Sequence, residues 1–324
     1  NKAKFERGVG GVIDPDDYPE LAEKIIEARA ELRERLKSPE LEGLVENFDP
    51  EKYSRHATVA QNLLFGTPVG NEFEDSKLAE NEYIRGLLSK LELEEPLYKM
   101  GIEIAKTALE LFQDLPSDHP FFEQLSFMTS EQIPDYQSIL QRVQNSPFDE
   151  AADEDVKMIM ALPFAYIEPR HRFGLLDNEL MERLVEARKS FREDLPEEYA
   201  SAIEFYDPQR YNRVSSIQDN LLLGRIAYGV AGGPERVTKI IRELIAELEL
   251  TDAIMNVGLD FNIGSGGKRL SLVQRQKLGL ARVFIKRPDY AVLNKPLSAL
   301  DQRQQELIVD KILEDARRQD PPCG

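Results

Sequence analysis

Leu270-Ser-Leu-Val-Gln-Arg-Gln-Lys-Leu-Gly-Leu-Ala-Arg282, followed by Arg287-Pro-Asp-Tyr-Ala-Val-Leu-Asn-Lys-Pro-Leu-Ser-Ala-Leu-Asp301, decides the fold class of this 324-residue chain. A glycine-rich turn, Gly264-Ser-Gly-Gly-Lys268, precedes it. Leu278, Ala281 and Ile285 recur at helical spacing, which predicts a helix whose apolar face packs on a sheet. Tyr290-Ala-Val-Leu293 is a short apolar run of the kind that forms a strand buried on both faces. Asn294 and Lys295 end that run, and Ser298-Ala-Leu-Asp301 follows.

Upstream, the sequence is duplicated. Leu21-Ala-Glu-Lys-Ile-Ile-Glu-Ala-Arg-Ala-Glu-Leu-Arg-Glu-Arg-Leu36 returns as Leu180-Met-Glu-Arg-Leu-Val-Glu-Ala-Arg-Lys-Ser-Phe-Arg-Glu-Asp-Leu195. Phe48-Asp-Pro-Glu-Lys-Tyr-Ser-Arg55 and Asn62-Leu-Leu-Phe-Gly66 return as Tyr206-Asp-Pro-Gln-Arg-Tyr-Asn-Arg213 and Asn220-Leu-Leu-Leu-Gly224. Lys90–Gly101 aligns with Glu247–Gly258, and across the three matches the spacing drifts only from 159 to 157 residues. Collinear matches of this length mean two modules, 1–160 and 161–324, the second leading into the stretch quoted above.

Each copy begins with an amphipathic helix, with Leu21, Ile25, Ala28, Leu32 and Leu36 on one face in the first. An Asp-Pro loop follows, since the residue before proline resists helix. Then comes a short helical turn ended by Gly66 or Gly224, and a further helix, Ile241–Leu250 in the second copy. Ile102–Gln113 predicts another amphipathic helix, and residues 121–160 read as mainly helical. The acidic stretch 145–155 reads as a linker, and Leu162–Pro169, bounded by prolines, as a strand.

Composition narrows the function. Asp and Glu outnumber Lys and Arg by 59 to 41, a net charge of −18, which argues against nucleic acid and anionic lipid as partners. One cysteine, Cys323, precludes an internal disulfide and fits a reducing compartment. His56, His119 and His171 are too far apart in sequence to show metal-ligand spacing. No apolar run approaches the roughly 20 residues that span a bilayer. A chain that starts at Asn1 without an initiator Met reads as a segment of something longer.

Residues 205–315 resemble the nucleotide-binding domain of ABC transporters, with a fainter echo at 48–101. Leu270, Ser271 and Gln274 match the Leu-Ser-Gly-Gly-Gln signature, while Leu272 and Val273 stand in place of its glycines. Gln276–Arg282 matches the signature helix, Tyr290–Leu293 the Walker B strand, and Ser298–Asp301 the D-loop. Ser216–Gly224 and Thr58–Gly66 both resemble the stretch after the Q-loop that meets the transmembrane partner. Tyr166-Ile-Glu-Pro-Arg-His-Arg172 is similar to a stretch of some multidomain bacterial ABC proteins.

The resemblance implies a helix-rich α/β fold, a divergent P-loop NTPase half joined to a mainly helical duplicated module. It also implies ATP and Mg²⁺ as cofactors, a second nucleotide-binding domain and a transmembrane domain as partners, and a place on the cytoplasmic side of the inner membrane. Ser271, Gln274, Asn294 and Asp301 become the nucleotide-site residues, and Lys295 occupies the position of the catalytic base. In the family that strand ends in Asp-Glu, the Asp ordering Mg²⁺ and the Glu polarising water. Asn294 keeps an oxygen without the charge, and Lys295 inverts it, so impaired hydrolysis is expected. No Gly-x-x-x-x-Gly-Lys-[Ser/Thr] loop occurs, because Arg269 follows Gly264–Lys268. The alternative is a non-catalytic dimerisation or regulatory scaffold.

Overall fold

Apolar residues recur at three- and four-residue intervals through most of the chain, and helices follow. The computed structural model describes residues 2–318 apart from 114, 117, 144–146, 261, 287–289 and 291. In chain order the elements are α1 (Lys2–Val9), α2 (Pro19–Arg35), β1 (Val45–Asn47), α3 (Val59–Leu64), β2 (Gly66–Pro68), α4 (Glu82–Lys90) and α5 (Glu94–Phe112). Next come α6 (Pro120–Leu125), α7 (Ile133–Val143), α8 (Asp153–Phe164), α9 (Glu168–His171) and α10 (Asn178–Glu193). They are followed by β3 (Ile203–Phe205), α11 (Ile217–Leu222), β4 (Gly224–Ile226), α12 (Gly233–Glu247), α13 (Thr251–Leu259), α14 (Leu272–Lys286) and α15 (Gln302–Arg318). Two compact units result, 1–259 and 260–324.

Helix α2 buries Leu21, Ile25, Ala28 and Leu32, and Leu36 just beyond it, which is the face its periodicity predicts. Within the first unit two cores form. One joins α1 and α2 to α11, α12 and α13; the other joins α3, α4, α5, α7 and α8 to α10. β1 pairs antiparallel with β4, and β2 with β3. Helices and strands of the first copy therefore pack on those of the second. One lobe is continuous in sequence, 59–205, and the other is closed by 2–47 meeting 217–259.

The two Asp-Pro loops are the crossings between lobes. Where they meet, Phe48 stacks on Tyr206 with ring centroids 4.5 Å apart, beside Phe65 and Leu223. Packing boundaries thus fall elsewhere than the 160/161 division of the repeat, because each lobe takes its parts from both copies.

Three local expectations are corrected. Leu162–Pro169 is not a strand: α8 runs to Phe164 with Pro163 inside it. Proline has no N–H for the carbonyl of Ile159 four residues earlier. That carbonyl instead lies against α5 at Gly101, where an added Cβ would come within 2.4 Å of it. The 145–155 linker lies partly outside the described residues; its remainder is a 3₁₀ turn and the start of α8. There Asp155 is buried and accepts two hydrogen bonds from Arg142, at 2.8 and 2.6 Å.

Gly66 and Gly224 do not end their helices. Phe65 and Leu223 take the left-handed conformation, at φ 46° and 37°, and the glycines open strands. A Cβ on Gly224 would sit 2.3 Å from the Glu46 carbonyl oxygen, and one on Gly66 would sit 2.8 Å from that of Glu204.

Candidate functional site

The residues implied by the family resemblance lie in 260–318, whose described residues include the helices α14 and α15. Gly264, Gly266 and Gly267 have positive φ and make a tight turn, in which the Gly264 N–H donates to Asn262 Oδ1 at 2.8 Å. Ser271 caps α14. Its hydroxyl accepts the Gln274 N–H at 3.2 Å, and Gln274 Oε1 accepts the Ser271 N–H at 3.0 Å. This reciprocal arrangement satisfies two donors at the helix start.

The buried face of α14 is not Leu278, Ala281 and Ile285. Leu278 is 42% and Ile285 80% exposed, and Leu280 is buried instead, with Val273 and Phe284 beside it. Leu297, Leu300, Ile308 and Ile312 complete that small core. The expected buried strand is also absent from the described residues. Tyr290 is 89% and Val292 97% exposed, and neither lies in a strand; Ala291 is outside the described residues. A parallel strand needs paired neighbours and helices over both faces. All four strands among the described residues belong to the 1–259 unit, so among the described residues of this segment none pairs with 290, 292 or 293.

Asn294 and Lys295 form an exposed bend, with Lys295 in the left-handed region at φ 45°. Beyond it the Ser298–Asp301 turn is held to α14 by one side chain. Gln276 Nε2 donates to Ser298 Oγ at 2.9 Å, and Gln276 Oε1 accepts the Ala299 N–H at 3.0 Å. Asp301 starts α15, its Oδ1 accepting the Gln304 N–H at 2.9 Å. The structure therefore joins the signature-like helix to the D-loop-like turn, and gives Ser271, Gln274 and Asp301 helix-capping bonds. Among the described residues no group of three His, Cys, Asp or Glu could hold a metal ion.

Two residues that the sequence reading missed organise the duplicated unit. Arg29, on the buried stripe of α2, donates to the carbonyls of Asn220 (2.6 Å), Asp207 (3.1 Å), Pro208 (2.8 Å) and Arg210 (3.0 Å), and to Asn220 Oδ1 (3.2 Å). Arg188 of α10 makes the same set in the other copy. It bonds the carbonyls of Asn62 (2.7 Å), Asp49 (3.1 Å), Pro50 (3.0 Å) and Lys52 (3.0 Å), and Asn62 Oδ1 (2.9 Å). Each arginine of one copy clamps the crossing loop of the other. Burial pulls both guanidinium groups down to about 10.

Asn62 and Asn220 are the second half of the device. Asn62 Nδ2 donates to the carbonyls of Ser54 and Thr58, and its Oδ1 accepts the Ser54 N–H. Asn220 does the same with Asn212 and Ser216. In this chain, then, the asparagine of the repeated Asn-Leu-Leu-x-Gly stretch closes its own loop. The signal was present in the sequence: Arg29 sits at i+4 from Ile25 and i−3 from Leu32, a charged residue on an apolar face, repeated at Arg188.

Part of the chain is similar in sequence to ABC transporter ATP-binding proteins. It is 35% identical over 98 residues to the heterocyst differentiation ATP-binding protein HepA of Nostoc sp. (strain PCC 7120), covering 30% of this chain and 15% of that protein. Over 117 residues it is 30% identical to ABC transporter D family member 1 of Arabidopsis thaliana, covering 33% of this chain and 8% of the relative. Over 92 residues it is 36% identical to the ABC transporter ATP-binding protein YwjA of Bacillus subtilis, covering 28% and 15%. The matches span less than a fifth of the length of these relatives. No family model matches the chain, and no solved structure does. Among the described residues no helix is long and apolar enough to cross a membrane.

Proposed function

We propose that this chain is a divergent nucleotide-binding region of an ABC transporter, acting in ATP-dependent transmembrane transport within a larger protein. The observation that carries the reading is the bonded pairing of the signature-like helix with the D-loop-like turn through Gln276, Ser298 and Ala299. Relatives named as ATP-binding proteins and as an ABC transporter support it. The partners are then a transmembrane domain and a second nucleotide-binding domain, on the cytoplasmic side of the inner membrane. Ser271 and Gln274 supply a half-site toward ATP held by the partner, and Asn294 and Asp301 flank it.

Hydrolysis at this chain's own position is impaired. At about 4 Å and an effective dielectric near 20, two like charges repel by roughly 4 kcal/mol, so an ammonium at position 295 disfavours a nearby metal ion. Lys295 also cannot serve as a carboxylate base. Calorimetry with Mg-ATP on the isolated chain should give no micromolar binding. In the intact protein, Asn294→Asp with Lys295→Glu should raise turnover; no change would sink the impaired-site reading.

A second reading, a non-catalytic dimerisation or regulatory scaffold, draws support from Ser271 and Gln274 being engaged with each other. It requires that Ser271→Ala in the intact protein leave transport unchanged while removing the helix cap.

A further inference from the structure

A cleft of about 790 Å³ opens on the 1–259 unit between the end of α5, α6, the turn after α9 and Tyr228-Gly229. Its volume lies within the roughly 300–1,000 Å³ usual for small-molecule sites. Pro169–Phe173 line one side of it, and Tyr166 and Glu168 fix the backbone of that turn from outside the lining. Glu168 accepts the N–H groups of Gly174 (2.9 Å), Leu175 (3.1 Å) and Leu176 (3.2 Å), and the Tyr166 hydroxyl at 2.9 Å. That hydroxyl in turn accepts the Phe173 N–H at 3.0 Å. The backbone on both sides of Arg172 is thereby fixed, with Arg172 itself at φ 61°.

The two arginines on this turn differ in what they have left to offer. Arg170 donates to the Gln124 carbonyl (3.0 and 2.6 Å) and to Ser126 Oγ (3.0 Å), with its guanidinium carbon 6.0 Å from the centroid of the Tyr228 ring. Arg172 is exposed, and the one hydrogen bond its side chain makes among the described residues is from Nε to the Pro169 carbonyl at 3.3 Å. No ion pair engages it among the described residues.

Charge decides what the cleft would attract. In a chain of net charge −18, no Asp or Glu lines it among the described residues, and two arginines do. His171, also in the lining, is held near pKa 4 by burial first and by Arg170 second, so it is neutral at pH 7. Leu111, Phe121 and Tyr228 are 43%, 41% and 40% exposed there. A free guanidinium binds carboxylate or phosphate bidentately, and exposed rings favour a flat partner.

We propose that this cleft binds a planar aromatic anion, a ring-bearing carboxylate or phosphate, with Arg172 pairing with the anionic group and Phe121 and Tyr228 holding the ring. The experiment is calorimetric titration of the whole chain with 2-naphthoate and with 2-naphthyl phosphate, using 2-naphthamide as the neutral isostere. At least one anion should bind with submillimolar affinity, the tighter of the two naming the acid group, and the amide at least tenfold more weakly.

Arg172→Gln should weaken the anion fivefold or more, Arg172→Lys less, and Tyr228→Ala at least twofold, with circular dichroism unchanged in each. Equal binding of the amide, an unchanged affinity in Arg172→Gln, or no binding of either anion at 1 mM overturns the proposal. Rings adhering to the exposed apolar residues of 260–318 would produce one of the first two outcomes.

Discussion

The 1–259 unit and the 260–318 segment are built by opposite means. The first buries two extended apolar cores and sinks Arg29 and Arg188 to 1% and 4% exposure, where each meets five acceptors. The second closes a small core over Leu280, Leu297 and Leu300 and leaves Leu272, Ile285, Tyr290 and Val292 more than half exposed. A buried cation is costly unless its hydrogen bonds are complete. The first unit meets that condition by taking the donors from one copy and the carbonyls from the other. The lesson is that the 1–259 region is specified as a pair of interlocked stretches, whereas 260–318 presents apolar surface that its described residues do not cover.

The contrast can be broken at several points, in descending order of effect. Arg188→Met should destabilise the 1–259 unit by about 4 kcal/mol, because the part-buried carbonyls of Asp49, Pro50 and Lys52 and the buried carbonyl of Asn62 lose this donor, and Asn62 Oδ1 is left with the Ser54 N–H alone. Arg29→Met should follow closely, though it lacks the ring of Phe65 that lies 4.3 Å from the Arg188 guanidinium. Urea unfolding measures both; a loss under 1 kcal/mol would show that the clamps are incidental.

Gly224→Ala should cost about 3 kcal/mol, the upper part of the overpacking range, because its Cβ would meet a strand carbonyl at 2.3 Å. The same measurement applies, with Gly43→Ala as a control in open space, where the left-handed φ of 77° costs less.

Acid should weaken the same unit through His171. The neutral ring accepts the Ile167 N–H at Nδ1 (2.9 Å) and faces the Leu125 carbonyl from Nε2 (3.1 Å). The carbonyl can only accept, so Nε2 carries the proton. With its folded pKa near 4 and the ordinary value at 6.5, the unfolded state binds the proton first. The stabilisation is complete above pH 6.5 and is lost as pH falls toward 4, by roughly 2 kcal/mol. Comparing the pH dependence of unfolding with that of His171→Gln isolates the effect; parallel curves between pH 6.5 and 4 would contradict it.

In the second segment, Lys295→Gly should raise stability by about 0.5 kcal/mol, since a left-handed residue other than glycine carries strain partly offset by glycine's chain entropy. A thermal melt of the helical signal reads this out.

Much of this was legible in the sequence. Helical periodicity gave α2 and its buried face, and the three collinear matches paired Arg29 with Arg188 and Asn62 with Asn220. Asp-Pro marked the crossing loops, and Ser271 with Gln274 three residues later is a helix-start pattern in its own right. Strand and linker readings failed at Leu162–Pro169 and 145–155 because short apolar or acidic runs carry no period of their own. There a proline-freed carbonyl against Gly101 and the Arg142–Asp155 pair decided the outcome.

By itself the sequence determined the helices, the recurrence of its own stretches, the likeness to ABC ATP-binding proteins and the presence of Asn294 and Lys295 rather than acidic residues. Only tertiary structure decided that the lobes run out of phase with the repeat, that Arg29 and Arg188 are clamps, and that α14 buries Leu280. Local patterning fixes which residues avoid water. Which copy covers them, and which carbonyls a buried guanidinium finds, depends on residues more than 120 positions away in the chain.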